Sequence, residues 1–91
     1  MMQTSPLGRI SGQVLRADRE EVVADATIGI TQAAGPVPDI AMVSDADGCF
    51  TLGELAAGTW TLRACGPAGE SGEVSAHVAP GAVSTVRIRV R

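Results

Sequence analysis

The chain has no lysine, no asparagine and no tyrosine, and it has a single tryptophan and a single phenylalanine. Each shortage removes a kind of chemistry. Without lysine there is neither a Schiff base nor a phosphate-loop lysine. Without asparagine there is no N-glycosylation acceptor. With two aromatic rings in 91 residues, no platform of several stacked rings for bases or sugars can be assembled. Arginine supplies all 7 basic side chains against 10 acids, a net charge of −3. A duplex nucleic-acid binder normally shows the reverse balance. The glycines form neither of the phosphate-cradling patterns, G-x-G-x-x-G or G-x-x-x-x-G-K-[ST].

Long apolar runs are missing as well. Met1 to Arg9 lacks the basic start and the apolar stretch of about 7–15 residues that a secretory signal needs. No run is long enough for a membrane-spanning helix. The expected location is therefore cytoplasmic, with export by another route left open. Cys49 and Cys65 are the only cysteines, and in that setting they are expected to be free thiols. Val, Ile, Leu and Phe number 21 of the 91 residues. That is enough for one thin aliphatic core and too little for a large enzyme with a deep pocket.

What is present is a period of two. Ile10, Gly12 and Val14 alternate with polar neighbours, as do Ala26, Ile28 and Ile30. Phe50 and Leu52 follow, then Trp60, Leu62 and Ala64, then Val74, Ala76 and Val78, and finally Val86, Ile88 and Val90. Such alternation marks strands with one buried face. Turn residues separate the runs: Gly35-Pro36-Val37-Pro38, Asp45-Ala46-Asp47-Gly48, Ala57-Gly58, Gly66-Pro67-Ala68-Gly69 and Pro80-Gly81. Short alternating runs with turns between them predict an all-β sandwich or barrel. Residues 17–21 read as a polar hairpin loop, with a helix as the competing reading. Residues 1–7 read as a flexible lead and 8–91 as a single domain. The predicted core is Ile10, Val14, Ala26, Ile28, Ile30, Phe50, Leu52, Trp60, Leu62, Ala64, Val74, Val78, Val86, Ile88 and Val90.

Four segments in order resemble the carboxypeptidase regulatory-like domains. Gly8-Arg9-Ile10-Ser11-Gly12-Gln13-Val14 is similar to their opening strand, and Val22-Val23-Ala24-Asp25-Ala26-Thr27-Ile28 to their second. Ser44-Asp45-Ala46-Asp47-Gly48-Cys49-Phe50-Thr51-Leu52 resembles their third hairpin. Leu55-Ala56-Ala57-Gly58-Thr59-Trp60-Thr61-Leu62 resembles the Leu-x-x-Gly-Thr-aromatic-x-Leu signature that follows, with Trp60 where the family usually has Tyr or Phe. The resemblance implies a seven-stranded, transthyretin-like antiparallel β-sandwich with an accessory, structural or binding role and no catalysis. Two related activities do not carry over. The transthyretin-like hydroxyisourate hydrolases use several His and Arg and a C-terminal Tyr motif, whereas this chain has only His77 and no Tyr. The collagen-adhesin B-type domains crosslink a lysine, which is missing here.

The polar constellations are weighed on chemistry. Asp45-Ala46-Asp47-Gly48 resembles the start of a calcium loop, but the next acid, Glu54, is nine residues from Asp45 rather than eleven, and a tight turn favours the same residues. His77 is expected to face solvent and, with Cys49 and Cys65, gives at most three soft ligands without C-x-x-C spacing. No catalytic residue, metal site or cofactor is predicted. Trp60 shares parity with Leu62 and Ala64, so it is expected in the core rather than exposed as a sugar-stacking ring. Arg87, Arg89 and Arg91 stripe the outer face of the last strand, as edge protection or ordinary solvation, or as an interaction strand. The partner implied is another protein, with a second copy of the chain as an option through that stripe and the acidic residues Glu20, Glu21, Asp25, Asp39, Asp45 and Asp47. No nucleic acid or membrane is implied. The alternatives are a small carbohydrate-binding module and, remotely, a transthyretin-like hydrolase.

Overall fold

The computed structural model describes residues 7–37 and 42–91. Residues 1–6 of the expected lead, and Pro38 and Asp39, lie outside the described residues. Seven strands run in order: β1 (Gly8–Arg16), β2 (Thr27–Gln32), β3 (Met42–Val43), β4 (Cys49–Leu55), β5 (Gly58–Cys65), β6 (Ser71–Val78) and β7 (Val83–Val90). They form two sheets, one ordered β4-β1-β7 and the other β3-β2-β5-β6. All neighbours are antiparallel except β1 and β7, which run parallel from Arg9/Val83 to Arg16/Val90. Among the described residues no helix is long and apolar enough to cross a membrane.

The alternation does what the side-chain period of a strand requires. Ile10, Val14, Phe50, Leu52, Ile88 and Val90 of one sheet join Ile28, Trp60, Leu62, Ala64, Ala76 and Val78 of the other in a common core. Trp60 is the largest side chain there, fully buried, and its indole N–H donates to the Ala56 carbonyl at 2.8 Å. Ile30, Val74 and Val86 pack against this core only partly buried.

Two departures from the expected pattern have local causes. Leu52 and Leu55 both point inward, although their spacing is odd. Glu54 between them has φ 57°, and the β1–β4 register slips there, so that Gly8 and Ile10 face Leu55 and Leu52. This is a bulge, which places one extra residue on β4 and returns Leu55 to the core. The second strand begins at Thr27, not at Val22 as the resemblance suggested. Residues 22–26 instead form a turn, with Asp25 at φ 60° and Val22 in an isolated bridge to Leu15. That bridge lies where Leu15 is buried and brings Val23 into the core. Residues 17–21 close a hairpin rather than a helix: Arg16 N–H donates to the Glu21 carbonyl at 2.7 Å, and Glu20, at φ 53°, donates back to Arg16 at 2.9 Å.

The two sheets meet along β6 and β7. Ser71 and Arg91 exchange backbone hydrogen bonds of 3.0 Å in both directions, and Ser84 Oγ donates to the His77 carbonyl at 2.6 Å. The outer edge of β7 therefore lies against β6.

Candidate functional site

The two thiols and the one imidazole are kept apart. Cys49 is exposed on β4 in one sheet, and Cys65 is exposed on β5 in the other. Both are free thiols. His77 is opposite Thr59, whereas Cys65 is opposite Ser71 at the far end of the same hairpin, about 20 Å away at strand spacing.

The Asp45–Gly48 segment is a turn by its bonding. Asp45 Oδ1 accepts the N–H groups of Asp47 and Cys49, each at 2.9 Å, and Gly48 N–H donates to the Asp45 carbonyl at 2.9 Å. Gly48 sits at φ 74°, close to the Val14 carbonyl, where a β-carbon would collide. Glu54 lies on the far side of β4, about 15 Å along the strand, so it does not close an ion-binding loop with Asp45. Trp60 and Phe50 are both interior, which leaves no exposed ring for stacking on a sugar.

The arginine stripe divides. Because β7 runs parallel to β1, Arg89 and Arg91 arrive at the same end as the β1–β2 loop. There Arg89 forms an ion pair with Glu20 at 3.0 Å. Arg87 stays exposed in mid-strand. Arg91 turns to a cleft of about 450 Å³, lined by Arg16, Ala17, Asp18, Glu70, Val90 and Arg91. The basic strand and the acidic loop are thus neighbours in one molecule.

The cleft is built from three places distant in sequence. Arg16 ends β1 and Ala17 opens the loop after it, with Ala17 N–H bonded to the Val90 carbonyl at 3.0 Å. Glu70 closes the β5–β6 turn: Gly66 N–H donates to its carbonyl at 2.8 Å, and its Oε1 accepts from Ala68 N–H at 2.9 Å. This carboxylate is 92% buried, since its side chain is 8% exposed. Arg16 Nη2 stands 3.0 Å from its Oε2, close enough for an ion pair but outside hydrogen-bond alignment, so Oε2 has a charge partner and no aligned donor. Sequence reading missed Arg16 and Glu70, since a lone arginine at a strand end and a glutamate in a glycine-rich turn both read as ordinary solvated residues.

The neighbouring loops are latched by Ser44, which is 2% exposed. Its Oγ accepts the Ala26 N–H at 2.9 Å and donates to the Val23 carbonyl at 2.8 Å. Ser44→Ala leaves a buried amide and a buried carbonyl without that partner. The expected loss is about 1–3 kcal/mol, read as a lower urea midpoint with an unchanged m-value.

Seven strands in two sheets, joined along one side and carrying a charged cleft at one end, define a small β-sandwich domain. The chain belongs to the carboxypeptidase regulatory-like domain family, whose pattern matches residues 9–91. A DUF3823 family protein from Parabacteroides merdae, known from its crystal structure, is similar in fold, with a TM-score of 0.70 and 17% identity over 96% of this chain. The chain covers 47% of that protein, less than half its length. No curated protein sequence matches it significantly.

Proposed function

We propose that residues 8–91 act as a non-catalytic accessory module that binds another polypeptide at its charged end. The observation that carries this reading is the cleft between the β1–β2 loop, the β5–β6 turn and the end of β7. Membership of a regulatory-like family supports a non-catalytic role, and so does the separation of His77 from both thiols.

The sheet edges support a strand-adding partner less well. β7 lies along β6. On β4, the bond from Val14 N–H to the Gly48 carbonyl at 2.8 Å fixes which residues face β1. By alternation the backbone groups of Cys49 and Thr51 then point away from it. Those of Cys49 are taken by Asp45, and the bulge at Glu54 ends the regular edge, leaving Thr51 as the one regular outward position between them among the described residues. A bulged edge disfavours pairing with another strand.

The test is photo-crosslinking in a cell extract, with a crosslinking residue placed at Asp18 on the cleft or at Thr51 on the β4 edge. A discrete protein adduct from the Asp18 position alone is the expected result. Adducts confined to the Thr51 position move the contact to the edge, and none from either position sinks the reading.

A further inference from the structure

Two guanidinium groups line the cleft, and the carboxylates near it answer only one of them. Arg16 is matched by Glu70 at 3.0 Å. Asp18, on the rim, has Arg19 beside it at 4.0 Å. Among the described residues Arg91 has no carboxylate side chain in ion-pairing reach. The lining is balanced overall, two guanidinium groups against two carboxylates, and Arg91 is the guanidinium left unanswered.

We propose that the cleft binds one carboxylate, the side chain of an acidic residue on a partner polypeptide, between Arg91 and the outward N–H groups of Arg16. The assignment rests on the docking end argued above and deepens it. A guanidinium carries five donors in a rigid plane, so an arginine that turns one nitrogen to Glu70 keeps others for a ligand. Glu70 is the positioning residue. The turn amide of Ala68 pins one of its oxygens, and the other lies shut off from solvent against Arg16. A fixed buried anion holds a long, half-exposed side chain to one wall and lowers the entropy lost when a ligand arrives. Arg91 is set by a different restraint, its paired backbone bonds to Ser71.

Charge selects a monoanion. Glu20 and Glu21 share the loop that forms the rim, and the whole chain carries −3. A phosphate dianion or a run of glutamates brings more negative charge toward Glu70 and Asp18 than Arg91 can offset. One carboxylate flanked by neutral residues answers Arg91 and brings no further negative charge.

The probe is a capped glycyl-glutamyl-glycine peptide, titrated into the isotope-labelled full chain while the arginine side-chain N–H resonances are followed. Saturable shifts at Arg16 and Arg91, absent with the glutamine counterpart, are expected. Arg91→Gln should weaken binding by about tenfold or more, the scale of one lost charge-assisted contact. Glu70→Gln should weaken it while a thermal melt confirms that the domain is folded; if that variant does not fold, Arg91→Gln decides alone. Equal shifts at all the arginines, unchanged binding by Arg91→Gln, or tighter binding of inorganic phosphate at the same resonances would each overturn the assignment. If the peptide fails to bind but crosslinks from Asp18 persist, the carboxylate falls and the docking end stands. If the peptide binds while crosslinks map to Thr51, the docking end falls and the anion site stands.

Discussion

Trp60→Ala is expected to lower stability by about 3–5 kcal/mol, the range for emptying an aromatic site in a packed core. The side chain is fully buried and is the largest in an interior otherwise made of aliphatic residues and one Phe. Removing it also leaves the Ala56 carbonyl without the indole N–H that it accepts at 2.8 Å. The domain has few other large side chains able to collapse into the space. A domain of this length holds only about 5–13 kcal/mol in total, so the variant should sit near its unfolding threshold. The melting temperature should fall by about 15–30 °C in a calorimetric scan. A shift of only a few degrees would mean that the site repacks and that Trp60 is not the keystone of the core.

The second large effect is steric. Gly72 lies on β6 where that strand passes the end of β7, and a β-carbon there would run into the backbone carbonyl of Arg89. A side chain could rotate away, but a strand backbone cannot move without breaking its ladder to β1. Gly72→Ala is therefore expected to cost about 3 kcal/mol or more, the upper part of the range for overpacking. Gly53→Ala supplies the control, since nothing lies within 4 Å of its β-carbon. It should change stability by less than about 1 kcal/mol. Chemical denaturation of the two variants side by side is the measurement. Equal effects would mean that the β6–β7 approach is looser than described. The same variant displaces Ser71 from Arg91, so it should disturb the cleft as well as the fold.

Most of the sheet architecture could be read from parity, because a half-buried strand writes its burial into every second residue. Ile10 and Val14, Phe50 and Leu52, Trp60 and Leu62, and Ile88 and Val90 are all found where alternation put them. Parity fails where the backbone leaves the regular strand. Leu55 is buried only because the bulge at Glu54 shifts the register, and Val23 because the bridge of Val22 to Leu15 sets it against β1. The cleft was illegible for another reason. Arg16, Glu70 and Arg91 meet through the parallel pairing of β1 with β7 and the closure of the β5–β6 turn. Neither leaves a local spacing in the sequence. Only Arg91 could be singled out, as part of an alternating stripe in which Arg89 pairs with Glu20.

The parallel pairing of β1 with β7 has a mechanical consequence. Residue 9 is level with residue 83, and residue 16 with residue 90. The described chain therefore enters the ladder at one end of the sandwich and leaves it at the other, about 25 Å away. Tension applied between those two points pulls the first and last strands past each other along their length. The load falls on the whole row of backbone bonds together, instead of opening them one at a time from a corner. A domain wired in this way resists stretching better than one whose terminal strands unzip.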